Sequence, residues 1–181
     1  MKESEPSFCP TKYREKGSNM NKSEIYRLLD EKKIAYKSYE HHAVFTVEEA
    51  DALNLPDPDA GTKNLFLRDQ KKQNYYLLTV RDHLQIRIKD FQKKIGAKPL
   101  SFASEEDLGR ILGLIKGSVT PFGLLNDSEK CVHFYLDEYF HGRTISAHPN
   151  ENTATVFMQA EDLMKLLERN GNSVSWIRMD D

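Results

Sequence analysis

The sequence lacks several features that define whole classes of protein. It contains only two cysteines, Cys9 and Cys131, and neither has another cysteine close by, so the paired spacing of a structural zinc site is missing. Two isolated thiols predict reduced side chains rather than a disulfide framework. No stretch approaches the roughly 18 apolar residues that a membrane-spanning helix needs. The sequence therefore predicts no membrane span, no metal and no disulfide-rich fold.

Charge of one sign is also scarce. The net charge is −2, from 26 lysines and arginines and 28 acidic residues. A protein that binds nucleic acid through backbone phosphates alone usually carries a basic excess, so a generic nucleic-acid coat protein is excluded. Local basic segments remain at 32–33, 71–72 and 81–98, and each alone is more typical of a solvated face.

Length and composition predict one folded domain. The chain has 181 residues, of which 39% are hydrophobic and 30% charged, as is ordinary for a globular protein. Residues 1–20 show little periodicity and are predicted to form a flexible tail, which leaves 21–181 as the domain. The tail lacks the apolar core of a secretory signal, so a cytoplasmic location is expected.

Hydrophobic periodicity predicts an irregular succession of helices and strands. Helices are expected to start at Asn21 or Ser23, Thr46, Asp90 and Ser104, and the last of these is expected to reach Ile115. A further helix is expected over 160–169. Strands are predicted over 34–40, 62–68, 74–80, 100–102, 132–136, 153–158 and 173–179, with a short strand or extended link at 86–88. Because most strands are joined by short turns, we predict an α+β fold with a mixed, mainly antiparallel sheet surrounded by helices.

Three features could carry chemistry, and each also has a purely structural interpretation. Lys63 opens an apolar strand, where it could hold a cation over a cleft or simply guard a sheet edge. The loop 117–123 is bounded by glycines and could line a pocket, or Gly117 could only terminate a helix. His148 precedes a strand in a turn and could equally be a hydrogen-bonded structural residue.

Familiar catalytic and nucleotide-binding motifs are missing. The sequence has no Gly-x-Ser-x-Gly elbow, no phosphate-binding Gly-rich loop and no cysteine in a recognisable catalytic context. No cofactor is predicted. A hydrolase built from these residues would depend on positioning and on oxyanion stabilisation, which suffice for an activated ester.

The three features occur together in an order that resembles the YbaK/prolyl-tRNA-synthetase-associated domain family. The resemblance covers about residue 21 to the C-terminus and is closest to its free-standing alanyl-tRNA(Pro) deacylases. It rests on Lys63-Asn64-Leu65-Phe66-Leu67, on Gly117-Ser118-Val119-Thr120-Pro121-Phe122-Gly123-Leu124-Leu125-Asn126-Asp127, and on His148-Pro149 followed by Asn152-Thr153-Ala154-Thr155.

The resemblance implies a single-domain hydrolase that cleaves the ester between a wrong amino acid and the 3′-terminal adenosine of tRNA. The attacking water would be assisted by the ribose hydroxyl of the substrate, which accounts for the missing triad. The implied catalytic residues are Lys63, Gly117 and His148. The implied substrate-binding residues are Thr46, Val47, Asn64, Ser118, Val119, Thr120, Pro121 and Phe122.

The expected function is therefore trans-editing of mischarged tRNA(Pro), with Ala-tRNA(Pro) as the favoured substrate. Two alternatives stay open: a deacylase of Cys- or Ser-charged tRNA, and a non-catalytic regulatory module that binds tRNA or an aminoacyl group. The expected partner is the acceptor end of tRNA(Pro), and prolyl-tRNA synthetase is a candidate second partner.

Overall fold

The computed structural model describes residues 19–179. The predicted flexible tail therefore lies outside the described residues except for Asn19 and Met20. The backbone nitrogen of Met20 donates to Asn126 at 2.8 Å, and its carbonyl accepts from Asn150 at 2.9 Å. Met20 is thus attached to the folded domain.

Within residues 19–179, eight strands form two sheets. They are β1 (Tyr36–Glu40), β2 (Thr62–Asp69), β3 (Tyr75–Arg81), β4 (Leu100–Phe102), β5 (Val132–Asp137), β6 (Thr144–Ala147), β7 (Ala154–Gln159) and β8 (Ser173–Ile177). The small sheet has the order β1-β7-β6 and is antiparallel, and the large sheet has the order β4-β2-β3-β5-β8. In the large sheet β5 runs parallel to both of its neighbours, while β2 runs antiparallel to β3 and β4. The predicted mixed, mainly antiparallel α+β architecture is confirmed, with β6 as a strand that the sequence analysis missed.

In the described part of the chain, five α-helices surround the sheets, and side-chain caps begin three of them. They are α1 (Lys22–Glu31), α2 (Val47–Asp51), α3 (Ile88–Lys94), α4 (Glu105–Asp107) and α5 (Ala160–Arg169). Asn21, Thr46 and Ser104 cap α1, α2 and α4 through their side chains, as predicted. Each cap satisfies a backbone N–H that has no partner within the helix.

Residues 86–87 form an extended link, one of the two predicted alternatives, and the helix after it begins earlier than predicted. No strand forms at 86–88; α3 begins at Ile88, and the carboxylate of Asp90 pairs with Arg87 at 2.6 Å instead of capping the helix. The alternation that suggested a strand has another cause: Leu84, Ile86 and Ile88 each pack against a hydrophobic cluster. Alternate burial along an extended segment looks the same in sequence whether or not the segment pairs with another strand.

The helix predicted from Ser104 through Ile115 is also shorter. After α4 the backbone forms a single π turn over Leu108–Leu112, which Gly113 ends with a φ of 65°. That left-handed conformation favours glycine and stops a right-handed helix. Ile115 consequently lies beyond the turn and is 70% exposed.

The large sheet is covered on both faces. Tyr75 and Leu77 of β3 belong to the main core, whereas Leu78 and Val80 belong to a second cluster that is closed by Phe91 of α3. Because side chains alternate across a strand, this pattern places α3 on the opposite face from the main core. The mouth of β2, where Lys63 lies, is therefore held between two packed layers.

Cys131 is buried, with its sulfur 3.6 Å from the carboxylate of Asp127. The prediction that the two thiols are reduced also concerns Cys9. Cys9, the other cysteine of the chain, lies outside the described residues. Among residues 19–179, no helix has both the length and the apolar character that a membrane crossing requires.

Candidate active site

A cleft of about 750 Å³ opens between the start of β2 and the small sheet. Its size falls in the range of pockets that bind small ligands. The walls come from α2 and the loop that follows it, from β2, from the loop after β3 and from β6 and β7. Seven of the residues predicted for the site line this cleft: Thr46, Val47, Lys63, Asn64, Gly117, Val119 and His148.

Lys63 lies on the cleft wall in the second position of β2, paired in register with Val80. Its ammonium group donates a hydrogen bond to the carbonyl of Leu84, in the loop after β3. This contact crosses from one strand of the hairpin to the loop beyond the other strand. A cation is therefore anchored at the cleft, and its remaining donors are available to a ligand because an ammonium group has three.

Asn64 ties the glycine loop to the sheet. Its side-chain amide donates to the carbonyl of Val119 at 3.0 Å, and its side-chain oxygen accepts from the hydroxyl of Thr79 on β3. Both ends of the amide are thus engaged. In the structure Asn64 lines the cleft and also fixes where Val119 faces it. The substrate contact implied by the resemblance stays a prediction.

Gly117 has a steric reason to be glycine. Its φ is 83°, in the left-handed region, and a Cβ built at this position would lie 2.9 Å from Cδ1 of Phe45. The Phe45 ring lines the cleft and is 58% exposed. Close approach of an exposed aromatic ring to a bare backbone is possible only without a side chain at 117.

Four predicted substrate-binding residues do not line the cleft. Ser118, Thr120, Pro121 and Phe122 are buried. The hydroxyl of Ser118 donates to the carbonyl of Ile115 at 2.9 Å, and that of Thr120 donates to the carbonyl of His148 at 2.6 Å. Their side chains hold the loop in place and, through Thr120, hold His148.

His148 presents a neutral imidazole to the cleft. Its Nδ1 lies 2.8 Å from the carbonyl of Ala154, and since a carbonyl only accepts, Nδ1 carries the proton and Nε2 is left as an acceptor. Burial lowers the pKa of His148, and the nearby His41 imidazole lowers it further, against the raising effect of the bond to Ala154. The ring centroids of His41 and His148 are 6.1 Å apart. The site therefore holds a hydrogen-bond acceptor, and not a cation, at this position near neutral pH.

The lowered pKa of His148 predicts the acid side of the pH profile. A free histidine has a pKa of about 6.5, so His148 should stay neutral below that pH and gain a proton only in more acidic solution. If the neutral ring is required, the acid limb of kcat/KM for aminoacyl-tRNA hydrolysis lies below pH 6.5. The same shift makes the fold most favoured above the unfolded pKa, and this contribution is lost as pH falls through the folded pKa.

The limb is assigned by two variants. His41→Gln removes the electrostatic interaction that adds to burial in lowering the pKa of His148, so the acid limb should move to higher pH. His148→Asn should lose the limb altogether. An acid limb at the wild-type position in His148→Asn would show that another group titrates.

The rim near α2 contains residues that the sequence analysis missed. Thr46 is occupied as the helix cap, with its hydroxyl accepting from the backbone of Glu49 at 3.2 Å. Phe45, the residue before Thr46, also lines the cleft. The sequence before it, which includes His41 and His42, has no hydrophobic periodicity that would have predicted this position for its ring. An aromatic residue before a helix cap was the available signal, but the same pattern is common where the ring is buried.

Asp51, Asp82 and His83 also line the cleft and were not predicted. One potential ligand atom of each lies within 4.8 Å of those of the others, so the three side chains form a cluster of metal-ligating type where none was expected. In the structure they pair with each other, with His83 Nε2 lying 3.5 Å from Asp51 and 3.7 Å from Asp82. Asp82 and His83 are neighbours, but Asp51 lies about thirty residues before them, and that long separation is why spacing gave no sign of the cluster.

Comparison with known proteins identifies the family. Residues 41–166, well over half of the chain, match the family model described as the aminoacyl-tRNA editing domain. The chain belongs to the aminoacyl-tRNA editing domain family. The matched range contains every cleft residue discussed above.

Relatives within the family cover nearly the whole chain. The prolyl-tRNA editing protein ProX of Acetoanaerobium sticklandii is 42% identical over 159 residues, which span 87% of this chain and 97% of that protein. Prolyl-tRNA synthetase associated domain-containing protein 1 of Mus musculus is 33% identical, over 88% of this chain and 96% of that one. The chain is thus similar to these proteins along their full length.

The fold is shared with solved structures. A crystal structure described as that of a candidate trans-editing enzyme for prolyl-tRNA synthetase has a TM-score of 0.64. The matched region covers 90% of this chain and 100% of the other one, at 21% sequence identity. At this identity the likeness shows the fold, and it agrees with the two-sheet arrangement described above.

Proposed function

We propose that this chain is a trans-editing hydrolase that cleaves the aminoacyl ester of mischarged tRNA(Pro), with Ala-tRNA(Pro) as its substrate. The observation that carries the proposal is a single cleft that gathers Lys63, Gly117 and His148, residues that together span more than eighty positions of the sequence. Membership of the editing family and the 42% identity to a protein named ProX support the choice of reaction and of tRNA.

The reaction is ester hydrolysis without a covalent enzyme intermediate. A water oxygen attacks the carbonyl carbon, the bond from that carbon to the ribose oxygen breaks, and the ribose oxygen takes up a proton. No serine or cysteine nucleophile with an adjacent base lines the described cleft. An aminoacyl ester is already activated, so holding it beside a water molecule and stabilising the developing negative charge supplies the catalysis.

Each cleft residue then has a definite task. Lys63 binds negative charge, either a phosphate of the terminal nucleotide or the developing oxyanion. The Nε2 of neutral His148 accepts a hydrogen bond from the ribose or from the attacking water. The terminal ribose hydroxyl of the substrate assists that water.

The apolar wall of the cleft is suited to a small side chain. Val47, Val119 and Ala147 contribute aliphatic surface, and none of them is a charged or amide residue that would select a polar amino acid. A small apolar wall favours alanine over serine by desolvating the serine hydroxyl. Aliphatic pockets discriminate weakly between residues that differ by a single group, so alanine and cysteine are the nearest competitors.

The proposal includes the acceptor end of tRNA(Pro) as the binding partner and prolyl-tRNA synthetase as a candidate second partner. Because aminoacyl-tRNA is produced and used during translation, the proposed place of action is the cytoplasm. No contact of the described chain identifies the synthetase, so that part of the proposal rests on the name of the relatives alone.

A substrate panel tests the proposed function. Purified protein is mixed with a large excess of Ala-, Cys-, Ser- or Pro-charged tRNA(Pro), and release of the labelled amino acid is followed. We expect many turnovers per chain with Ala-tRNA(Pro) and none above background with Pro-tRNA(Pro). Faster release of serine or cysteine would replace the substrate, and binding without turnover of any of them would establish a non-catalytic module.

A further inference from the structure

A basic surface adjoins the cleft on the side of Lys63. Residues 85–98, which we call the α3 surface, carry five lysines and arginines and a single carboxylate, in a chain whose net charge is −2. All five cationic side chains are exposed: Arg87, Lys89, Lys93, Lys94 and Lys98. The α3 surface therefore carries a local excess of positive charge in a chain whose net charge is negative.

The fold holds this surface rigidly. Leu84, Ile86 and Ile88 pack inward against the cluster that contains Phe91, and the residues between them face solvent. Ile95, one turn after Phe91, adds a further anchor to the same cluster. The cations are thus displayed on a backbone that apolar packing fixes in place.

Most of the positive charge is not neutralised within the protein. Asp90 pairs with Arg87 at 2.6 Å, and within residues 19–179 no salt bridge involves Lys89, Lys93 or Lys94. The helix dipole accounts for cations in the last turn of α3, where Lys93 and Lys94 lie. It disfavours Lys89 in the first turn, and Lys89 and Lys93 are four residues apart, where like charges repel.

The α3 surface is connected directly to the cleft. Leu84 immediately precedes the α3 surface, and its carbonyl accepts the hydrogen bond from Lys63. The two residues before Leu84 line the cleft. The other end of the α3 surface leads into Leu100 of β4, which pairs with Asp69 at the end of β2 farthest from Lys63. The surface therefore runs away from the cleft along the length of β2, for about 10 Å over α3 alone.

We propose that the α3 surface binds backbone phosphates of the acceptor stem of the tRNA whose 3′ end occupies the cleft. A track of exposed cations, most of them without a salt bridge among residues 19–179, leads away from the cleft and matches a polyanion attached to the substrate ester. Phosphate contacts of this kind set orientation and affinity without reading sequence. The proposal rests on the proposed function, because it takes the occupant of the cleft to be aminoacyl-tRNA.

A pair of charge-neutralising substitutions tests the proposal. The α3 variant carries Lys89→Gln and Lys93→Gln, and the control carries Lys32→Gln and Lys165→Gln, two exposed lysines outside the α3 surface and the cleft lining. The dissociation constant of uncharged tRNA(Pro) is measured for wild type and both variants over a range of salt concentrations. Glutamine has nearly the helix propensity of lysine, and equal thermal unfolding midpoints check that α3 is intact.

We expect weaker binding only in the α3 variant, by about tenfold at low salt. Its plot of log affinity against log salt should be shallower by roughly 1.4 to 1.8, since each of the two lost phosphate contacts removes about 0.7 to 0.9 from the slope. Equal affinities and slopes for the α3 variant and wild type would overturn the proposal. So would reduced binding of the α3 variant to phosphatidylserine vesicles with tRNA binding unchanged, which would make the surface a membrane contact.

The binding measurement is independent of catalysis. Wild-type turnover of Ala-tRNA(Pro), measured separately, decides the proposed function. Loss of tRNA affinity in the α3 variant without wild-type turnover would leave the docking surface standing and reject the hydrolase.

Discussion

Replacing Lys63 with methionine is expected to lower kcat/KM for Ala-tRNA(Pro) by about 100-fold or more. That factor corresponds to about 2.7 kcal/mol of transition-state stabilisation, which is within the range for removing one preorganised charge from a site partly shielded from water. Methionine keeps most of the length of the lysine side chain and removes its charge and donors. The measurement is release of labelled alanine under steady-state conditions.

Two further substitutions test whether the charge of Lys63 is the property that matters: one keeps the charge, and one is a control at another lysine. Lys63→Arg retains a cation with a different geometry and should keep more activity than Lys63→Met. Lys71→Met removes a lysine from the turn at the opposite end of β2 and should leave activity unchanged. Full activity of Lys63→Met would contradict the catalytic role of Lys63. It would leave the structural interpretation from the sequence, in which the lysine only protects a sheet edge from pairing.

Replacing Gly117 with alanine is expected to lower activity by a similar factor, for a steric reason. The new Cβ would meet the Phe45 ring at 2.9 Å, and the backbone φ of 83° is strained for any residue with a side chain. The ring or the loop must move, and a displacement of about 1 Å at a reacting centre can cost about 100-fold in rate. The strain alone should lower the free energy of unfolding by about 1–3 kcal/mol.

Gly142→Ala is the matched control for Gly117→Ala. Gly142 has a φ of 67°, but a Cβ there would meet no atom within 4 Å. It should lose a similar amount of stability in denaturant titration and keep its deacylase activity. Phe45→Ala combined with Gly117→Ala should recover part of the activity if the clash is the cause. Equal losses of activity in the two glycine variants would contradict this explanation.

The sequence predicted the elements that local rules control. The Asn21, Thr46 and Ser104 caps were found because a cap depends on a side chain and a backbone group only a few residues apart. The β2–β3 hairpin was found because two apolar runs flank a short polar turn. The sequence did not predict the start of α3, because packing sets that boundary. It also did not predict where the 104–115 helix ends, because the conformation of Gly113 sets that end.

The candidate site was predictable only through resemblance. Taken singly, Lys63, Gly117 and His148 favoured ordinary structural roles, and the structure adds what spacing could not supply, namely a common cleft. It also redistributes the tasks: Asn64 and Thr120 use their side chains to position Val119 and His148. Contacts between residues far apart in sequence, such as the bond from Thr120 to His148, leave no pattern along a single chain.

Phe45, Asp82 and His83 are cleft residues that the sequence did not predict. They line the cleft, yet nothing in their local sequence distinguishes them from surface residues. Asp82 reaches the cleft because its neighbour Arg81 ends β3 opposite Thr62, at the mouth of β2. That placement is a consequence of strand register, which the sequence alone specifies only loosely.

The central claim is that the cleft holds the aminoacyl-adenosine end of tRNA, and an analogue that cannot be hydrolysed tests it most directly. In 3′-alanylamino-3′-deoxyadenosine an amide replaces the labile ester, so the bound state persists. The measurement is the change in backbone amide NMR signals of the protein as the analogue is added. The account predicts that the changes concentrate at Asn64, Gly117, Val119 and His148. Saturable changes confined to residues outside the cleft would contradict it.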